Sequence, residues 1–374
     1  MSCQKKKVAF FIGSLNRGGT ETLVLDSFRR SAEAPYESML IYRNEGDLSD
    51  AYRATGVPLF QIIPKGIKIG YVTKIRKLLK EEKVDVLHAQ TLLNALLGVF
   101  CVCFSHVKLV ASFHGFRYSF TERIKTHIVM WCANASVFVS KYVKDWYIKH
   151  TIFTPQKRCH LVYNGIDFSK FDQSYVAPDF LAKKCPHPSN CLNLVMVGNF
   201  VKGRSQLFLC EVVNALTERG MEGFRLFFIG KRVASAPERY DNCVNYCRDH
   251  GLLDKSVFFL GGRNDVPAIL QHADAFIYSS EHDTFGIAVV EAMAAGLPVI
   301  VNDWDVMRDI TEDGALATLY RTGDIADCAE KIEQLFSGFE EHKRIAKASS
   351  LQVRERFSIE AHIQDLNKVY EAVV

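Results

Sequence analysis

Short apolar runs recur along the chain, each followed by a longer stretch in which apolar positions return every three to four residues. In the first part the runs fall at residues 8–12, 38–42, 59–63, 84–88, 108–113, 135–139 and 160–163. Their apolar positions are continuous and do not alternate with polar ones. That is the pattern of strands covered on both faces, and so of a parallel sheet with helices on either side. Over residues 175–193 the rhythm is broken by Pro178, Lys183, Lys184, Pro186, Pro188 and Asn190, and it resumes with runs at 194–197, 225–229, 257–260, 275–278, 298–301 and 317–320. The pattern predicts an α/β protein of two doubly wound, Rossmann-like domains, residues 1–175 and 194–357, joined by a linker over 176–193. Residues 358–374 form an amphipathic helix capped by Ser358, with Ile359, Ile363, Leu366, Val369 and Tyr370 on one side, expected to pack back on the first domain.

Composition changes this picture in one respect. With 374 residues, 48% apolar and 24% charged, the chain is of ordinary globular make-up, neither disordered nor fibrous. The net charge of +4, however, combines 25 basic and 14 acidic residues up to Tyr175 with 21 basic and 28 acidic residues beyond it. A basic half points to an anionic partner such as a membrane surface, a phosphorylated ligand or nucleic acid. The basic start Lys5-Lys6-Lys7 precedes an apolar run too short for a signal peptide, and no apolar stretch reaches the ~18 residues of a membrane span. A cytoplasmic protein is expected, at most at the cytoplasmic face of the membrane. The eleven cysteines show no paired zinc or C-x-x-C spacing and read as reduced, mostly buried thiols; Cys243 and Cys247 share a helix face but lack further ligands.

Two turns carry candidate chemistry. Gly13-Ser14-Leu15-Asn16-Arg17-Gly18-Gly19 follows the first strand and opens a helix, where glycines let backbone amides approach an anion. Gly19 occupies the position where a P-loop needs lysine, and G-x-G-x-x-G is absent, which argues against an NTPase and a dinucleotide oxidoreductase. Tight-turn geometry without a ligand explains the loop equally well. In the second domain, Tyr278-Ser279-Ser280-Glu281-His282-Asp283-Thr284-Phe285-Gly286-Ile287 leads into a helix carrying Glu291 and ending at Gly296. Amides at Phe285, Gly286 and Ile287 would bind an anion, and Glu291 could accept two hydrogen bonds from a vicinal diol such as a ribose. The plainer alternative is that Asp283 or Thr284 caps the helix and Glu291 is a solvated surface acid.

The stretch resembles the signature of family-4 retaining glycosyltransferases of the GT-B fold: an acid, Gly-Phe-Gly, a second acid eight positions after the first, then Ala-Met-Ala-x-Gly-x-Pro-Val. Phe285-Gly286 and Glu291-Ala292-Met293-Ala294-Ala295-Gly296-Leu297-Pro298-Val299 match it. Gly18-Gly19-Thr20-Glu21, His114-Gly115, Val139-Ser140, Asn164-Gly165-Ile166-Asp167 and Gly261-Gly262-Arg263-x-Asp265 match other parts in the family's order, so the resemblance spans nearly the whole chain. It implies two Rossmann-like domains facing each other across a cleft, the donor on the second and the acceptor on the first. The donor would be a nucleotide-sugar, a UDP-sugar before a GDP-sugar, used as a substrate without metal or other cofactor. Phe285, Gly286 and Ile287 would hold the diphosphate, Glu291 the ribose and Asp283 the transferred sugar. Gly18 and Gly19 would approach the donor, His114 would reach the reacting centre, and Arg263 would border the base. Attack would come from the face the leaving phosphate departs, so no protein nucleophile is implied.

This chain departs from the family pattern in two ways. Asp283 replaces the usual glutamate. The arginine expected after the glycine of the second domain's first strand is Asn199, leaving Lys202 and Arg204 to bind the diphosphate. His114 follows a strand at the end where sites form in such sheets, whereas His88, also at a strand end, reads as structural. The basic segment Lys65, Lys68, Lys74, Arg76, Lys77, Lys80 and Lys83 surrounds Val72, Ile75, Leu78 and Leu79 at helical spacing; it suits peripheral contact with anionic lipid, or a packed helix with a solvated basic face. Arg117 and Tyr118, in a basic-aromatic patch after His114, are acceptor candidates, for a glycan or a lipid-linked acceptor. No nucleic-acid motif accompanies the charge. The reading is therefore a retaining, hexosyltransferase-like glycosyltransferase of cell-surface polysaccharide or glycoconjugate synthesis. The rivals are a sugar-nucleotide epimerase of similar fold and a non-catalytic sugar-nucleotide-binding partner.

Overall fold

The computed structural model describes residues 5–64, 68–116, 119–152, 154–182 and 191–374. The chain divides into two compact units, one of Met1–Asp167 with Phe357–Val374 and one of Phe168–Arg356, so the division falls ahead of the boundary suggested by the proline-rich stretch. In the first unit β1 (Lys7–Phe11), β2 (Glu37–Tyr42), β3 (Leu59–Gln61), β4 (Val86–Ala89), β5 (Lys108–Phe113), β6 (Ala135–Phe138) and β7 (Cys159–Leu161) form one sheet in the order β3-β2-β1-β4-β5-β6-β7. In the second, β8 (Leu192–Val197), β9 (Phe224–Ile229), β10 (Val257–Phe259), β11 (Ala275–Tyr278), β12 (Val299–Asn302) and β13 (Thr318–Tyr320) are ordered β10-β9-β8-β11-β12-β13. Every strand pair is parallel. Both units are therefore doubly wound α/β layers, and each run marked by its continuous apolar pattern is a strand shifted by at most a few residues.

The order reverses between β1 and β4 and between β8 and β11, and in such sheets ligands bind outside the carboxyl ends of the strands at that switch. Right-handed crossovers place successive helices on the face dictated by the direction of the step. Helix Gly19–Arg29 packs against the last helix, Ile359–Val373, and helix Lys68–Glu81 packs against Leu92–Val102, which packs against Phe120–Cys132. In helix Lys68–Glu81 the apolar positions Tyr71, Ile75 and Leu79 are buried, so of the two sequence readings for this basic segment the packed helix is the one observed. Among the described residues no helix is long and apolar enough to cross a membrane. Eight described cysteines are free, but Cys191 is disulfide-bonded, an exception to the expectation of uniformly reduced thiols.

The terminal helix completes the first unit. Its Ser358 hydroxyl accepts the Ala361 amide at 3.1 Å, and Ile359, Ile363, Leu366, Val369 and Tyr370 lie in one apolar cluster with Phe10, Phe28 and Tyr36. The amide of Ile166 donates to the Phe357 carbonyl and that of Ile359 to the Ile166 carbonyl, at 2.9 and 3.1 Å. A Cβ on Gly165 would sit 2.7 Å from the Ile359 Cα, so this crossing requires glycine. The Tyr370 hydroxyl lies 2.7 Å from Nδ1 of buried His88, whose Nε2 is 2.7 Å from the Ser112 hydroxyl; His88 is thus a satisfied structural histidine, as its setting suggested.

This burial has a pH consequence. His362 packs with its Nδ1 2.7 Å from the Tyr163 carbonyl, and burial lowers its pKa to about 4 against the opposing pull of that carbonyl and Asp365. An unfolded histidine protonates near 6.5, so between roughly pH 6.5 and 4 the unfolded chain binds the extra proton and stability falls as the pH falls. Burial lowers the pKa of His88 in the same sense. We expect His362 to contribute a loss of about 3 kcal/mol to the first unit's unfolding free energy across that window. Urea titrations of the parent and His362→Asn from pH 7.5 to 4.5 should give the variant the shallower profile; parallel profiles would show that His362 does not titrate on unfolding.

Candidate functional site

In the second unit the loops after β8 and β11 are bound to each other across the switch point. Arg204 and Ser280 form an antiparallel bridge, the Glu281 amide donates to the Gly203 carbonyl at 2.8 Å, and the Ser205 amide donates to the Ser279 carbonyl at 3.1 Å. Buried Asn302, at the end of β12, accepts the Ser280 amide at 3.0 Å and donates to the Ser280 carbonyl at 2.9 Å. The loop before the signature helix is therefore fixed by backbone bonds before any ligand arrives.

That loop turns into helix Ile287–Ala294 through Gly286, at φ +82°, where a Cβ would lie 2.9 Å from Met307 Cε. The N-cap is Gly286 itself, which brings no side chain to the helix start; the Val289 amide donates to the Gly286 carbonyl at 3.0 Å, and the amides of Ile287 and Ala288 precede the first intrahelical bond. Asp283 accepts a hydrogen bond from the hydroxyl of fully buried Tyr278, and its other oxygen lies 3.9 Å from Arg204. The Arg204 guanidinium stacks over the Tyr278 ring at 5.9 Å and rests across Gly198, where a Cβ would be 2.4 Å from Nη1. Burial raises the Tyr278 pKa far above the ordinary value, and the Asp283 charge adds to it; at Arg204 burial opposes the charge, but Tyr278 and Asp283 outweigh it and raise the pKa. The three side chains thus hold an arginine cation beside an acid and a neutral phenol.

Glu291 is not a solvated surface acid either. Its side chain is 12% exposed and pairs with Lys170, on the short 3₁₀ helix Phe168–Phe171. The other candidate donor ligands are arranged differently. Asn199 accepts the Lys231 amide at 2.9 Å, tying the loop after β8 to the loop after β9. Lys202 is exposed. Arg263 makes a two-pronged pair with Asp265 at 2.7 and 2.6 Å and lies over the Phe180 ring. The structure accordingly gathers Arg204, Asp283 and Gly286 at one switch point, adds Tyr278 and Lys170, and gives Asn199 and Arg263 protein partners of their own. Tyr278 carried a weak signal, a polar group closing an apolar strand. Lys170 carried none, because its partner is 121 residues away.

The first unit has its own opening at the ends of β4 and β5, an open pocket of about 160 Å³ lined by Thr20, Gln90, Thr91, Leu92, Ser112, Phe113, His114 and Gly115. His114 Nε2 is 2.9 Å from Oε1 of buried Gln90, which fixes the ring at the pocket wall. Thr91 caps helix Leu92–Val102. Gly18 is the extended N-cap of helix Gly19–Arg29, two residues before Thr20 in the pocket lining. Arg117 and Tyr118 lie outside the described residues. Among the described residues no three His, Cys, Asp or Glu side chains cluster as a metal site.

Family models match both parts of the chain: Glycosyltransferase Family 4 over residues 17–170 and Glycosyl transferases group 1 over residues 179–352. This chain is a family-4 glycosyltransferase. Its GT-B fold is that of a glycosyltransferase from Rickettsia africae ESF-5, with a TM-score of 0.85 at 18% identity over 99% of this chain and 98% of that one. Anabaena HepE, solved with UDP and glucose, superposes with a TM-score of 0.80 at 16% identity over 98% and 99%. In sequence the glycosyltransferase is similar to the Escherichia coli UDP-Gal:alpha-D-GlcNAc-diphosphoundecaprenol alpha-1,3-galactosyltransferase, 27% identical over 76% of each chain.

The glycine at the signature turn gives a direct test. Gly286→Ala adds both a left-handed alanine and a clash with Met307, whereas Gly251→Ala, at φ +68° with open space around it, adds only the first. We expect a loss of about 1–2 kcal/mol for Gly251→Ala and about 1–3 kcal/mol more for Gly286→Ala in urea unfolding. Equal losses would show that the Met307 wall yields freely.

Proposed function

We propose that this glycosyltransferase moves a sugar, with retention, from a nucleoside-diphospho-sugar to a glycan or lipid-linked acceptor in polysaccharide or glycoconjugate synthesis. The observation that carries the reading is the glycine-capped helix start at Gly286–Ile287, set beside Arg204 and between two part-buried acids, Asp283 and Glu291. Such a start accommodates a diphosphate, and an arginine fork and helix amides stabilise the charge that develops as it leaves. Glu291 would exchange Lys170 for the ribose diol, and Asp283, held by Tyr278, would bind hydroxyls of the transferred sugar. The likeness to HepE and to a UDP-galactose-dependent enzyme favours UDP, with GDP second.

In the proposed reaction an acceptor hydroxyl attacks the anomeric carbon as the bond to the β-phosphate oxygen breaks. The departing diphosphate takes the hydroxyl proton, and neither a protein nucleophile nor a metal is called for. The pocket at His114, with Thr20 in its lining next to Gly18 and Gly19 in the chain, is assigned to the acceptor. The reading supposes that Arg204 supplies the cation that Asn199 does not.

Incubation with a panel of nucleotide-sugars tests the proposal. Slow nucleotide release, accelerated by lipid-linked acceptors and unchanged by EDTA, is expected; an altered sugar without nucleotide release indicates epimerisation, and binding without turnover a non-catalytic role. Glu291→Ala should raise the donor KM roughly tenfold or more, as loss of a charged hydrogen-bond acceptor does. His114→Ala should leave donor binding intact and lower kcat by about 10²-fold or more. Parent-like kinetics in both variants would show that the site lies elsewhere.

A further inference from the structure

Helices Lys68–Glu81, Leu92–Val102 and Phe120–Cys132 follow steps in the same direction along the first sheet, so right-handed crossovers set them side by side on one face. The outer side of a surface helix is ordinarily polar. Here it is apolar on two adjacent helices. Leu92–Val102 contains no charged residue; Leu93 and Phe100 point outward, and just beyond its end Phe104 is fully exposed on a left-handed backbone at φ +57°. A bulky residue rarely holds that conformation. On Phe120–Cys132 the exposed large apolar residues are Phe120, Ile124, Ile128 and Trp131, a stripe along one side at helical spacing. Exposed Ile152 adjoins it, its carbonyl accepting the Trp131 indole N–H at 3.3 Å. These eight are more than half of the fifteen large apolar side chains exposed among the described residues.

Cations border the stripe. At 100° per residue Arg123 and Lys125 fall on either side of it, and the neighbouring helix Lys68–Glu81 presents exposed Lys74, Lys77 and Lys80. Arg76 donates to the Phe100 carbonyl at 3.1 Å, where the basic helix meets the apolar one. The three helices carry seven Lys and Arg against two acids, Glu81 and Glu122.

We infer that the joint outer face of helices Leu92–Val102 and Phe120–Cys132, edged by the basic helix Lys68–Glu81, docks on an anionic phospholipid bilayer. Apolar rings enter the headgroup–acyl boundary, the indole sits at the interface, and the flanking cations meet lipid phosphates. This corrects the sequence-based expectation in one respect: the apolar side of the basic helix is occupied by the core, so its neighbours insert and it supplies charge only. A second copy of the chain is a poorer occupant, because face-to-face pairing would set the same cations against one another. The inference is independent of the reaction assigned above.

Co-flotation of the full chain with vesicles tests it. Binding is expected to phosphatidylcholine vesicles containing phosphatidylglycerol, weakening with salt, and not to phosphatidylcholine alone. Tryptophan emission should shift to the blue on binding, and the shift should be lost in Trp131→Phe. The triple variant Phe104→Ser, Ile124→Ser, Trp131→Ser should lose at least tenfold in vesicle affinity while keeping its thermal melt and nucleotide-sugar binding. Ile345→Ser with Leu351→Ser, exposed apolar residues of the second unit, should bind as the parent does. Absence of binding to the anionic vesicles, equal binding by the triple variant, or a dimer abolished by the triple substitution without vesicle binding would each overturn the inference.

Discussion

A parallel strand cannot be joined to its neighbour by a tight turn; the chain must cross one face of the sheet and return to the same end. Almost everything functional here follows from that constraint. It delivers every strand's carboxyl end to one edge of its sheet, and it parts successive loops where the strand order reverses. In the second unit it brings the loops after β8 and β11 close enough for Arg204 to pair with Ser280 through the backbone and with Asp283 through its side chain. In the first it opens the pocket between Thr91 and His114. It also settles which helices share a face, and so unites the basic helix with the two apolar ones.

Within the second site the side chains are set by desolvation as much as by attraction. Arg204 stays charged in a half-closed setting because Asp283 and the Tyr278 ring compensate for lost water. Tyr278 stays neutral because burial and the neighbouring acid both oppose its ionisation. A neutral donor, an acid and a cation are thereby lined up with little freedom to rearrange. Glu291 differs, since its partner Lys170 is itself 41% exposed and can be exchanged for another donor.

The strands were legible because burial on both faces leaves short unbroken apolar runs, recurring at regular spacing between longer helical stretches. The signature turn was legible for a related reason: Gly286 and Gly296 punctuate it at positive φ, and Glu291 stands out in an otherwise apolar helix. What the sequence withheld were the partners. Nothing local pairs Lys170 with Glu291 or turns the Asn199 amide toward the Lys231 backbone, since both depend on loops meeting across the sheet. The basic segment shows the same limit from another side: its helical spacing was plain, but whether its apolar stripe faced lipid or protein was decided by Leu92–Val102, which carries no charge to mark it.

The terminal helix makes the first unit discontinuous in sequence. During synthesis the face of the first sheet that receives Ile359, Ile363 and Tyr370 stays uncovered until the whole second unit has left the ribosome. The second unit is continuous and can close before the first is finished. A nascent chain of this enzyme therefore carries one completed half and one with an open apolar face, which helix Ile359–Val373 closes.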